Sequence, residues 1–514
     1  MSAAKKNVLL LLVIFLISII VRLSNIDRPL SFHHEWLTAF SLRVVSILYD
    51  GGAAQYNFNP IANYNGDANK NIDNTSVLFM PKNQQGDYYY ISYPPFGYLL
   101  PYFIFKLISL KPTILGIQIL NLCLHFIGAY FIFLIISLLS LKNNQKINWP
   151  GVIGFGIYTF LPLNLWFQSN VYSPETLIQT IFIIEAYILF KILFSKQIGN
   201  YYWWLLGIFN FLAVYTEWLG ILLAGTICLY ALFKAKDKKY KTIFYIVMIT
   251  SLLALMLTVY QYSLISGLHD LLVIYENKYL LRSGFSSLSE NNTSILEIRA
   301  WLKLTETYVI NFIPFFLSSV PFLYLLFRGK SREGVLNKNF LTAAYIIIIP
   351  IILHHVLFFN GTVVHDFFLL KDSIYIAIFG ALFYWYYFEY LAQKNQFKYR
   401  LSIFLVIVIF LATAMIIYNQ PNQFYSSQYK AIGEKIRMTS SNEEVVFINF
   451  ENSDLKQIDI EPQQIIYAQR NIARWQDDNQ AEKLIRLNGL NRGVIFNINH
   501  NFDVFSIDHI KLKD

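Results

Sequence analysis

His33, His34, Glu35 and Trp36 stand in a row where the first apolar run of the chain gives way to polar sequence. Carboxylates and imidazoles accept, hold and release protons, and they are costly beside a bilayer unless they are used. The same residue types return at three later boundaries. Glu175 opens an apolar run in "QSNVYSPETL", Glu217 sits in "YTEWLG", and "HDFFLLK" carries His365, Asp366 and Lys371. Five of the nine histidines (His33, His34, His354, His355 and His365) fall at such boundaries.

Each position also has a plainer reading. Glu175 follows Pro174, and a proline and an acid both suit the first turn of a helix without any chemistry. Charge beside aromatics in "HDFFLLK" would serve equally as an interfacial belt. In "HHEWLTAFSLRVVSIL", Trp36, Phe40, Val44 and Ile47 recur at helical spacing. That predicts an amphipathic helix lying in the interface, its apolar stripe in lipid and Glu35 and Arg43 turned toward an aqueous cavity. Adjacent side chains on a helix point apart, so His33 and His34 are not expected to share one ion. There is no HExxH, and no metal ligands are assigned. Cys123 and Cys228 form no CxxC and read as core residues.

The elements that must position these residues are apolar. Of 514 residues, 55% are hydrophobic and 14% charged, where a soluble domain carries about 25% charged residues. Eleven segments approach the length of a membrane span, at about 7–23, 113–141, 150–167, 174–194, 201–217, 219–233, 240–265, 305–327, 339–359, 370–391 and 400–418. The net charge of +9 does not point to nucleic acid, because Lys and Arg gather in "LKNNQK", "KILFSKQ", "KAKDKKYK", "RGKSREGVLNK" and "QKNQFKYR". The positive-inside rule places those connectors, and the N-terminus, in the cytoplasm. Glu35, Glu175, Glu217 and Asp366 then share the outer side.

The same alternation keeps "YPPFGYLLPYFIFKL" from crossing, since a crossing there would turn every later basic connector outward. The 201–233 run is short for two spans and must turn back early, recessing Thr216, Glu217 and Trp218. Outside lie a long first loop, 24–112, a second, 266–304, and a polar tail. Residues 1–418 thus read as a membrane domain and 419–514 as a small α/β domain outside the cytoplasm, with "EEVVFINF" and "RGVIFNIN" as strands and "SQYKAIGEKIRMT" and "DNQAEKLIRLNG" as helices.

In this order the pieces resemble the GT-C superfamily of membrane glycosyltransferases, which includes bacterial relatives of protein O-mannosyltransferases and aminoarabinose transferases. The similar features are an acid after the first helix, a Pro-Pro motif closing the first loop ("YPPFGYLL", where relatives show "HPPL"), an acid opening an outer helix end ("YSPE") and a late "HDYYLLP"-like motif ("HDFFLLK"). "HHEWLTAFSL" is most similar to a bacterial group with "HEWRQTxTA". Here Leu37 replaces that group's arginine, Lys371 the late proline, and Glu217 a lysine.

The resemblance implies a GT-C-like fold and inverting transfer of a sugar from a polyprenyl-phosphate carrier to a lipid, glycan or protein acceptor. It assigns the catalytic base to Glu35, with Trp36 anchoring its helix at the interface and His33 and His34 lining the site. Arg43, His365 and Lys371, beside Asp366, are its candidates for the departing phosphate. Glu175 and Glu217 would orient sugar hydroxyls or a divalent ion, the one cofactor left open. The lipid tail would enter beside "YPPFGYLLPYF". Low Gly with abundant Ile, Asn, Lys, Phe and Tyr points to an AT-rich bacterial genome, and so to the bacterial cytoplasmic membrane. The competing expectations are a transporter or flippase of a lipid-linked or anionic substrate, a glycan polymerase or ligase, and an inactive relative.

Overall fold

In the computed structural model, which describes residues 3–31, 33–75, 78–140, 147–285, 293–327, 338–421, 425–450, 460–499 and 503–512, the eleven apolar segments are largely helical, and 150–167 is divided between two helices. The order begins α1 (Ala3–Arg22), α2 (Glu35–Gly51), α3 (Phe96–Leu107), α4 (Ile114–Leu139), α5 (Trp149–Phe160), α6 (Pro162–Asn170) and α7 (Pro174–Phe194). It continues with α8 (Tyr201–Val214), α9 (Trp218–Phe233), α10 (Lys238–Ser266), α11 (Leu268–Ser283), α12 (Ile298–Phe327), α13 (Lys338–Leu357) and α14 (Phe359–Val364). A 3-10 turn over Asp366–Lys371 leads into α15 (Asp372–Lys394), and α16 (Gln396–Asn419) completes the bundle. The basic connector 141–146 and most of 328–338 lie outside the described residues.

Seven helical stretches among the described residues are long and apolar enough to cross a bilayer, and the bent pair α5–α6 makes an eighth. The chain is a multi-pass α-helical membrane protein. The bend of 63° falls between Phe160 and Pro162, where the proline removes a backbone donor and starts a new helix. At 12 residues, α3 is only about 18 Å long, well short of a hydrocarbon core of about 30 Å. Between the short helices α8 and α9 the chain reverses at Thr216 and Glu217, both sealed from solvent. Glu217 caps α9 there, its carboxylate accepting the Leu219 N–H at 2.8 Å.

Two expectations for α2 are corrected. The helix begins at Glu35, so His33 and His34 precede it. Nor does it float with one face in lipid: Leu37, Phe40, Val44, Val45, Ile47 and Leu48 are all buried. It packs on α3 and α4 on one side and beneath a helix of the C-terminal domain on the other. A covering domain is what a periodicity argument within one helix leaves out.

That domain consists of α17 (Gln428–Thr439), β1 (Val445–Phe450), α18 (Pro462–Ala468), β2 (Ala473–Arg474), α19 (Asp478–Leu487), β3 (Arg492–Ile498) and β4 (Val504–Lys511). Its sheet runs β2-β1-β3-β4, with β1 parallel to both β2 and β3 and β4 antiparallel at the edge. α18 is the helix that covers α2.

Side-chain amides fasten this domain to the first loop. Asn74 donates to Ile472 O at 2.8 Å and accepts the Ile472 N–H at 2.9 Å. Asn471 donates to Asn69 O at 2.9 Å. Gln463 reaches Ser31 O at 2.5 Å, and Tyr467 OH accepts the Leu30 N–H at 2.8 Å. Arg43, expected to face the cavity, is buried against this seam and donates to Asn74 O at 2.7 Å.

Candidate active site

Four chain segments meet at the end of the bundle that carries the C-terminal domain. Thr38 of α2 donates to Asn170 O at 2.7 Å and accepts the Tyr172 N–H at 2.8 Å, so α2 is locked to the turn before α7. Tyr172 OH donates to Gly97 O at 2.8 Å, and the Phe96 N–H to Tyr215 O at 3.1 Å, which ties "YPPFG" to both the "YSPE" and the "TEW" turns. Gly97 is required here, because a Cβ would fall 2.6 Å from Pro174 Cγ. Gln179 of α7 donates to Leu370 O at 2.7 Å and Ser373 Oγ at 2.6 Å, joining the "HDFFLLK" turn.

Glu35 is buried at the first turn of α2, accepting from Arg28 at 2.8 Å and from the Ser31 N–H at 2.6 Å. Gln463 of the covering domain holds the carbonyl of the same Ser31. Burial pushes the Glu35 carboxyl up to about 7, against the pull of the Arg28 guanidinium and the Ser31 N–H. Arg28 is itself held over the Tyr425 ring at 4.6 Å.

Beside Glu35 the backbone takes a form that the residue types do not announce. His33 and His34 have φ of 50° and 65°, a left-handed conformation costing non-glycine residues on the order of 1–3 kcal/mol each. In that form both imidazoles turn to one carboxylate: His33 Nε2 lies 3.2 Å from Asp366 Oδ2, and His34 Nε2 lies 3.1 Å from Oδ1. The expectation that neighbouring histidines diverge assumed a helix, and there is none at these two residues. His365 stands edge-on to His34 at 5.6 Å. Burial, with His34 next, drives its imidazole down to about 3, so it offers hydrogen bonds rather than charge.

A second group is wholly enclosed. Glu217 Oε1 lies 3.0 Å from His354 Nε2 and 3.5 Å from Lys371 Nζ, and Lys371 Nζ lies 2.9 Å from the same imidazole nitrogen. His355 pairs with Asp372 at 2.9 Å. Glu175, at the first turn of α7, has both carboxylate oxygens buried without a hydrogen-bond partner. Arg282 of α11, over the Tyr93 ring at 4.9 Å, acts electrostatically on both Glu175 and Glu217.

The structure therefore gathers His34 with Asp366 and His365, and Glu217 with Lys371, while Arg43 stands apart in the domain seam. His33 and His354, noted in the sequence, take their places here, and Arg28, Lys278 (its Nζ donating to Ser92 Oγ at 3.1 Å), Arg282 and Lys303 are additions to the sequence-derived set. The i, i+4 pair Lys278 and Arg282, on one side of a helix in the second loop, was the available signal for two of them. A cavity of about 400 Å³ lies at this end; His33, His34, Asp366 and Lys303 line part of it, and Trp166, Leu163, Phe167 and Ile310 give it a largely apolar wall. An apolar cavity of about 430 Å³ lies among α1, α5, α15 and α16.

No family model matches the sequence, and no curated protein does. Solved structures do resemble the fold. The Archaeoglobus fulgidus oligosaccharyltransferase AglB, in complex with an inhibitory peptide and a dolichol-phosphate, superposes with a TM-score of 0.57 at 12% identity, over 95% of this chain and 69% of that one. ArnT from Cupriavidus metallidurans in the apo state gives 0.57 at 10% identity, over 97% of this chain and 94% of that one. ArnT bound to undecaprenyl phosphate gives 0.57 at 10%, over 94% and 92%. Both neighbours are GT-C membrane glycosyltransferases, and the fold of this chain is theirs.

Proposed function

We propose that this protein is an integral membrane glycosyltransferase that moves a sugar from a polyprenyl-phosphate carrier to a hydroxyl acceptor. The observation that carries the reading is the hydrogen-bonded meeting of the α2, α3, α7 and Asp366–Lys371 segments, with their acids and cations, at one end of a GT-C fold. Neighbours with that fold are known with dolichol-phosphate and with undecaprenyl phosphate. The connectors at this end, "QSNVYSPE", "YTEWLG" and "FFNGTVVHDFF", hold no Lys or Arg, which supports an outer-face site in a bacterial cytoplasmic membrane.

The chemistry is one displacement. The acceptor oxygen bonds to the anomeric carbon, the bond from that carbon to the phosphate oxygen breaks, and the lipid phosphate leaves with the electron pair. The acceptor proton passes to a carboxylate, and attack opposite the leaving group inverts the centre. Glu35 fits the base: it opens the external helix α2 and is enclosed by both domains. Lys303 and Arg282 supply positive charge for the departing phosphate. The apolar cavity among α1, α5, α15 and α16 suits the isoprenoid tail, and α16 itself runs on to Tyr418 at the cavity that holds His33, His34 and Asp366. Glu175 is the alternative base, a buried acid at the first turn of α7 beside Tyr93 and Ser173.

Binding of undecaprenyl phosphate to the detergent-purified protein, compared with undecaprenol, tests this reading. Saturable binding that requires the phosphate is expected. Equal binding of both lipids, or of neither, would remove the donor from the account.

A further inference from the structure

His33, His34 and Asp366 present three donor atoms within 4.8 Å of one another. Each imidazole lies close to one carboxylate oxygen, His34 Nε2 3.1 Å from Oδ1 and His33 Nε2 3.2 Å from Oδ2, near the spacing of about 3.3 Å between two donors that each sit about 2.0–2.1 Å from one tetrahedral ion. Asp366 Oδ1, next to the His34 nitrogen, is buried without a hydrogen-bond partner, and so is His34 Nδ1. The three groups are also held in place. Trp166 Nε1 donates to His33 O at 3.1 Å, and the His34 ring stands edge-on to Phe367 at 4.9 Å. Without the left-handed backbone at both histidines, consecutive side chains could not aim at one carboxylate.

We propose that His33, His34 and Asp366 form a binding site for one divalent transition-metal ion. Two imidazoles with one carboxylate match zinc and its neighbours in the first row, whereas magnesium and calcium prefer all-oxygen sets. Three protein donors leave a coordination position open, as in metal sites that bind a substrate and unlike closed structural sites. All three residues line the cavity of about 400 Å³, with Lys303 on its wall. An ion and an ammonium facing one cavity suit a phosphate oxygen. This last step rests on the transferase reading, while the metal site itself does not.

Cobalt(II) is the probe, because its visible absorption reports four-coordinate binding, and zinc should displace it. The full-length protein in detergent is expected to take up one equivalent, and His269→Gln, a change at an exposed histidine outside the cavity, should do the same. Asp366→Asn and His33→Gln should each weaken binding by about tenfold or more, with metal-free melting curves confirming that the variants fold. A wild-type protein that takes up neither metal, or folded variants that both bind as tightly as wild type, would overturn the site. Adding undecaprenyl phosphate should shift the cobalt spectrum. If cobalt binds but its spectrum ignores the lipid phosphate, the metal site stands and its link to the donor is overturned.

Discussion

Lys371 Nζ lies 3.5 Å from Glu217 Oε1, with both side chains sealed inside the bundle and His354 touching each of them. Removing one member of such a pair leaves a buried charge uncompensated, at a cost of about 3–5 kcal/mol. Lys371→Ala is therefore expected to melt well below wild type. Glu217→Gln combined with Lys371→Met should recover much of the loss, because no charge is then stranded. Thermal unfolding in detergent measures both. A single variant as stable as wild type would mean that the pair is not enclosed as described.

Arg43 gives the opposite expectation. Its Nη2 donates to Asn74 O and the guanidinium lies over the Phe40 ring at 4.7 Å, buried in the seam between the first loop and the C-terminal domain. Arg43→Met should leave undecaprenyl phosphate affinity within about twofold, since a charge-assisted contact to the lipid would be worth about 1.5–3 kcal/mol and none is being removed. A tenfold loss with normal melting would return Arg43 to the phosphate site.

Gly97→Ala tests the joint between "YPPFG" and "YSPE". A Cβ placed 2.6 Å from Pro174 Cγ must push α3 away from α7, and overpacking of this kind costs about 1–3 kcal/mol. Lower thermal stability is expected. An unchanged melting temperature would show that the two segments can separate freely.

Orientation is tested by reporters. Fused after Lys236, within "KAKDKK", a reporter should read cytoplasmic, and fused after Asn419 it should read external. The reverse at both sites would put the acids and the covering domain inside the cell.

How much of this was legible follows from what sequence patterns record. Hydropathy located the apolar helices, and "EEVVFINF" and "RGVIFNIN" became β1 and β3, because burial is written locally into residue type. The edge strand β4 went unread. Its residues are largely exposed or half-exposed, so it has no apolar run to betray it. The left-handed turn at His33 and His34 left no mark either, since no glycine or asparagine signals it. Arg43 was misplaced for a related reason: periodicity identifies the apolar face of α2 but says nothing of α18 covering it.

The central claim is that Glu35 takes the acceptor's proton, and the direct test is turnover of Glu35→Gln beside Glu175→Gln. Sugar release or transfer from native polyprenyl-phosphate donors, and undecaprenyl phosphate binding, should be measured on the same purified variants. Loss of a general base typically costs about 10²–10⁴ in rate, and the glutamine keeps the shape of the side chain while being unable to take the proton. The account predicts that Glu35→Gln falls in that range, binds the lipid phosphate within about threefold of wild type, and falls further in rate than Glu175→Gln. Near-normal turnover by Glu35→Gln with a dead Glu175→Gln would contradict it and move the base to α7.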